Sequence, residues 1–148
     1  MNTINNFKPF QTITGYNLLE EINNITTNKT CIVTMEDLWD IFKLKFKNIS
    51  NIYFISSLEE TNLEKEINKF KDYDTIIGLG GGQAIDIAKY FSWKCNLKLF
   101  QFPTSLSVDA VFGHRSGIRR NNIVYYIGWA IPECVFIDYN IILLFRLI

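Results

Sequence analysis

Along the chain, compact apolar runs of strand length alternate with stretches in which apolar residues return every third or fourth position. Residues 7–15 are a short polar and apolar mixture ending at Gly15, after which Tyr16, Leu18, Leu19, Ile22 and Ile25 fall at helical spacing and predict a first helix. The polar cluster of Asn23, Asn24, Thr26, Thr27 and Asn28 closes it. Residues 30–35 form a β-branched run that predicts a buried parallel strand ending at Glu36 and Asp37, and Leu38, Ile41 and Phe42 mark a second helix. A strand over 51–55, a charged amphipathic helix over 58–70 and a strand over 74–79 follow. Ala84, Ile85, Ala88, Phe91 and Cys95 make one apolar helical face, with Asp86 and Lys89 on the other, and 97–102 is a strand stopped by Pro103. Alternation around 112–118 and 123–127, joined by 119–122, predicts a β-hairpin, and 135–137 is a last strand ending at Asp138. Strand and helix alternate through short connections. The predicted fold is α/β, a doubly wound and mostly parallel sheet of Rossmann-like kind, with a β-hairpin near residues 112–127.

Composition narrows the partners. With 148 residues, 48% of them hydrophobic, the chain has enough material for one globular domain with a real core. Its 15 basic and 15 acidic residues cancel, and no basic run is dense enough to track a phosphate backbone, which argues against nucleic acid. No apolar run reaches the roughly 20 residues of a membrane span, and the Asn-rich start lacks a signal-peptide core, so no membrane partner and a cytoplasmic location are expected. Cys31, Cys95 and Cys134 are odd in number and widely spaced, which suggests reduced thiols and not a disulfide or zinc framework.

The densest chemistry lies where the strand over 74–79 runs into a glycine cluster and then into a helix. Gly78, Gly80, Gly81 and Gly82 are four of the eight glycines in the protein. Glycine lets a ligand approach the backbone closely, and a helix starting near Gln83 would offer unpaired N–H groups to an anion. Asp86 stands in the first turn, where it serves either as a local cap or as a ligand contact, and Lys89 could reach a bound phosphate or pair with Asp86. In an open parallel sheet, ligands sit outside the carboxyl ends of the strands, so the hydroxyls of Thr104, Ser105 and Ser107, together with Asp109, would neighbour the glycine loop. His114 is the only histidine, a poor basis for a metal site, and it is expected on the surface or in the hairpin, as is Arg115.

The string Gly80-Gly81-Gly82-Gln83-Ala84-Ile85-Asp86-Ile87-Ala88-Lys89, followed by Phe102-Pro103-Thr104-Ser105-Leu106-Ser107-Val108-Asp109-Ala110 and by Pro132 with Phe136-Ile137-Asp138, resembles the iron-containing (group III) alcohol dehydrogenase superfamily. The branch it is most similar to holds glycerol dehydrogenase and sn-glycerol-1-phosphate dehydrogenase. The likeness covers roughly residues 12–142 and implies the dehydroquinate synthase-like cofactor domain of that superfamily, with NAD or NADP as cofactor and a small-molecule alcohol or glycerol phosphate as substrate. By resemblance, Gly80, Gly81 and Gly82, with Gln83 and Asp86 beside them, would hold the pyrophosphate. Thr104, Ser105 and Ser107 would line the cofactor cleft, and Asp109 would approach the nicotinamide and the substrate hydroxyls. Glu36 would read the adenosine ribose, favouring NAD because a 2′-phosphate would be repelled. An ordinary Rossmann fingerprint would require glycine where Gln83 stands, so the cradle is of a different type.

The superfamily carries its divalent metal, iron or zinc, in a second helical domain that these residues do not include. The whole chain, 1–148, is therefore expected to be an NAD(P)-binding domain, and the apolar stretch 141–148, which shows no cap, resembles a truncated or frame-shifted end. Without a metal to polarise the alcohol oxygen, the chain is expected to bind a dinucleotide and to turn over little or nothing. Poor solubility or self-association into homo-oligomers is expected of an uncovered face. Two alternatives stand beside this. Residues 113–118 faintly echo a stretch of 3-dehydroquinate synthase, a lyase of the same superfamily, with Arg115 in place of its lysine; and a non-catalytic nucleotide-binding remnant would also suit a chain without the metal domain.

Overall fold

The protein is described by a computed structural model covering residues 11–106 and 109–146. Six parallel strands form one sheet in the order β1-β8-β5-β4-β2-β3, where β1 is Gln11–Gly15, β2 Thr30–Thr34, β3 Ile52–Phe54, β4 Thr75–Gly80, β5 Lys98–Pro103 and β8 Cys134–Asp138. A separate antiparallel pair, β6 (Ser116–Arg120) and β7 (Ile123–Ile127), is the expected hairpin. The helices are α1 (Ile22–Ile25, entered through the 3-10 turn Leu18–Glu21), α2 (Glu36–Phe42), α3 (Glu60–Glu66), α4 (Gly82–Cys95) and α5 (Tyr139–Arg146).

The sheet is doubly wound, and its faces explain the sequence pattern. β2 is buried along its whole length, as a strand covered on both sides must be. Cys31 and Val33 point into a core built from α3, α4 and the hairpin, while Ile32 between them joins Leu19, Ile22, Leu38, Phe42 and Ile141 on the opposite side. Stacking of Phe70 on Phe91, with ring centroids 4.0 Å apart, locks the end of the α3 segment onto α4. The cysteines are free thiols, and burial pushes that of Cys31 up to about 12. Among the described residues no helix is long and apolar enough to cross a membrane.

Four local expectations are corrected. Residues 11–15 are a strand, paired in parallel with β8 from Gln11↔Cys134 to Gly15↔Asp138. As an edge strand with an exposed face it carries no apolar run to announce it. Tyr16 and Ile41, assigned to apolar helical faces, are exposed. The hairpin begins only at Ser116: the carbonyls of Ala110, Gly113 and Arg115 accept from Lys89, and that of His114 accepts the N–H of Ala130, so these residues join no ladder. The stretch after β8 is a capped helix: Asp138 Oδ1 accepts the N–H of Asn140 at 2.9 Å and Oδ2 accepts that of Leu19 at 3.0 Å.

α4 differs from the amphipathic helix its sequence suggests. The sheet covers one side and the hairpin the other, so even Lys89 and Ser92 are buried. Its approach to β4 is close: a Cβ at Gly78 would lie 2.9 Å from that of Ala88, and one at Gly80, whose φ is +151°, would lie 2.8 Å from that of Ala84. These two glycines are required by packing and backbone conformation.

Candidate functional site at the carboxyl edge of the sheet

Counting the strands from β2, the order reads second, first, third, fourth, fifth, which places the topological switch point between β2 and β4. The crevice outside the carboxyl ends of these two strands is where such sheets take ligands. β4 ends there in Gly80, and β2 runs into α2, whose exposed first residue is Glu36.

At this edge the chain turns from strand to helix across Gly81. The first helical bond runs from the N–H of Ile85 to the carbonyl of Gly81 at 3.1 Å. The N–H groups of Gly82, Gln83 and Ala84 therefore precede the ladder and have no intrahelical acceptor. Gly81 has an ordinary φ of −80°, and a Cβ placed on it would meet nothing within 4 Å. Neither packing nor backbone conformation demands glycine here, unlike at Gly78 and Gly80. Thr104 reaches the same edge, buried, with its N–H on the carbonyl of Gly80 at 2.8 Å, and Ser105 follows it. Ser107 lies outside the described residues. Of Asp109 only the backbone is described, in the 3-10 turn Asp109–Val111.

Two cavities open on this edge. The larger, about 830 Å³, lies between the start of α4 and the hairpin and is lined by Gly82, Gln83, Asp86, Arg115, Gly117 and Tyr126 among others. The smaller, about 370 Å³, lies over the ends of β2 and β3, where Met35, Ser56 and Ser57 line it. Leu58, Gln83 and Arg119 line both.

Lys89 is occupied structurally. Its side chain is wholly buried, and Nζ donates to the carbonyls of Ala110 (2.9 Å), Gly113 (3.2 Å) and Arg115 (2.7 Å) while lying 3.1 Å from Asp86 Oδ1. An ammonium has three hydrogens, so none is left for a phosphate. Asp86 is held between Lys89 and the N–H of Gly117, where a Cβ would come within 2.9 Å of Oδ2. Burial pushes the Asp86 carboxyl up and the Lys89 ammonium down, each against the pull of its partner. The pair thus fastens the 110–117 segment over α4, and Asp86 faces the larger cavity with its carboxylate already engaged. The ring of His114 packs 4.7 Å from that of Trp129 at the same cavity. Among the described residues no group of three or more His, Cys, Asp and Glu side chains comes together.

The sequence points to the glycines, Gln83, Thr104 and Ser105, and the structure gathers these at one edge. Arg119 and the serines at 56 and 57 are not visible in it, because only the fold carries the hairpin across to the end of β3. An isolated bridge between Glu59 and Arg119, with the N–H of Arg119 on the carbonyl of Leu58 at 2.8 Å, makes that junction.

Comparison with known proteins agrees with this architecture. The chain is similar to the glycerol-1-phosphate dehydrogenases [NAD(P)+] of Thermoplasma volcanium, at 29% identity over 87% of this chain, and of Archaeoglobus fulgidus, at 24% over 90%. It spans 41% of the length of each. Among solved structures, the glycerol dehydrogenase of Schizosaccharomyces pombe superposes with a TM-score of 0.75 at 23% identity, covering 90% of this chain and 38% of that one. The sulfoacetaldehyde reductase of Bifidobacterium kashiwanohense in complex with NAD+ superposes with a TM-score of 0.76 at 14% identity, covering 92% and 46%. At such identities the two structures show a shared fold. The sequence profile described as iron-containing alcohol dehydrogenase matches residues 22–144, most of the chain, and the protein belongs to that family.

Proposed function

We propose that this chain is the dinucleotide-holding part of an NAD(P)-linked oxidoreductase that moves hydride to or from a small polyol or a glycerol phosphate. The observation that carries the proposal is Gly81. It sits at the amino end of α4 with open space where a side chain would stand, although the fold itself would accept one. A pyrophosphate oxygen placed there meets backbone N–H groups and the positive end of a 14-residue helix. Relatives that act as glycerol-1-phosphate dehydrogenases and a fold neighbour that binds NAD+ support the same ligand. Thr104 and Ser105, with Ser107, belong to the cofactor cleft, Glu36 to the ribose end, and Asp109 to the nicotinamide and substrate side.

Titration calorimetry with NADH on the folded chain tests this. The native chain should bind, and Gly81→Val should keep the native melting temperature while losing at least about tenfold in affinity, the effect of obstructing one or two charge-assisted hydrogen bonds. Absence of NADH binding by the folded native chain would overturn the proposal.

A further inference from the structure

Arg119 is the strongest feature left unused by the proposed function. The carboxylates near it are engaged elsewhere: Glu60 takes the guanidinium of Arg120, and Glu59 Oε1 accepts the N–H of Asn122 at 2.9 Å. Glu64 takes Tyr90 and Lys94. Among the described residues Arg119 has no ion pair, and its Nε is buried with no acceptor. A buried donor without a partner costs free energy, and a guanidinium carries a planar fork of donors that matches phosphate oxygens.

Its location says what would satisfy it. Arg119 forms part of the wall shared by the 830 Å³ and 370 Å³ cavities, together with Leu58 and with Gln83 from the first turn of α4. A ligand with two nucleoside ends and a charged middle would fill both cavities and lay its diphosphate across that wall. We propose that Arg119 binds the pyrophosphate of the dinucleotide from the hairpin side, opposite the N–H groups of α4. The proposal rests on the dinucleotide assignment above. It adds a cation to a cradle whose nearby lysine, Lys89, is committed to carbonyls and to Asp86.

The test is calorimetric titration of the native chain, Arg119→Gln and Arg119→Lys with NADH and with NADPH, alongside their melting temperatures. Arg119→Gln should weaken NADH and NADPH alike by about tenfold or more, and Arg119→Lys should recover part of the loss at an unchanged melting temperature, as removal and partial return of a charge-assisted contact would. The slope of affinity against salt should be shallower in Arg119→Gln. Native binding of NADH by Arg119→Gln overturns the proposal and leaves the dinucleotide assignment standing. A loss confined to NADPH also overturns it, placing the guanidinium on a 2′-phosphate. A native chain that binds neither cofactor removes both.

Discussion

At the scale of single residues, the glycine cluster divides by physical cause. Gly78 and Gly80 are small because α4 lies against β4, whereas Gly81 is small where nothing of the chain stands close. The sequence shows one cluster, and only contact distances separate the glycines that packing requires from the one that it does not. Gln101 is the converse case. It is fully buried in β5 opposite Gly78 and Val135, and both its amide oxygen and its nitrogen lack partners. An apolar side chain of similar length should relieve that cost, so Gln101→Met is expected to raise stability by roughly 1–2 kcal/mol in urea unfolding. Equal or lower stability would mean that the amide has a function. The sequence reads Gln101 only as one residue of an apolar strand, since its lack of partners is a property of the neighbours that β4 and β8 supply.

At the scale of elements, carboxylates on α3 tie it to the hairpin on one side and to α4 on the other. Glu60 pairs with Arg120, and Glu64 with Lys94 and the hydroxyl of Tyr90. The bond from Arg120 holds Glu60 below the usual carboxylate range, and those from Lys94 and Tyr90 do the same for Glu64. A carboxyl held lower in the folded state stabilises the fold above its unfolded value, near 4.5, and loses that contribution as the pH falls through its folded value. The double substitution Glu60→Gln, Glu64→Gln should therefore lower the melting temperature at pH 7 and leave it close to native at pH 3. Glu64 is exposed and Glu60 is only partly covered, so the effect at pH 7 should be small. The turn of this hairpin was readable in its asparagines: Asn121 and Asn122 take φ of 51° and 64°, the left-handed pair that a two-residue hairpin turn needs. What was not readable is that the first strand starts at Ser116, because that depends on a lysine more than twenty residues earlier in the chain.

At the scale of the whole molecule, the chain presents a glycine-lined edge with two cavities and, among its described residues, no cluster of metal ligands. The relatives extend well beyond the 41% that this chain spans. Under the proposed function, adding iron or zinc to the 148-residue chain with NADH and dihydroxyacetone or its phosphate, followed by NADH absorbance, tests whether these residues alone carry the reaction. Measurable turnover would show that these residues suffice for catalysis. The sequence by itself determined the layering, since period-two and period-3.6 apolar patterns are local, and it marked the glycine edge, since a glycine cluster between strand and helix is local too. The tertiary structure alone decided that Gln11–Gly15 is an edge strand, that Asp138 caps both α5 and the turn at Leu19, and that Lys89 is a buried tether. It also decided that Arg119 stands between two cavities. Each of these depends on a partner distant in sequence, and neither periodicity nor composition carries information about which distant partner a backbone or a charge will meet.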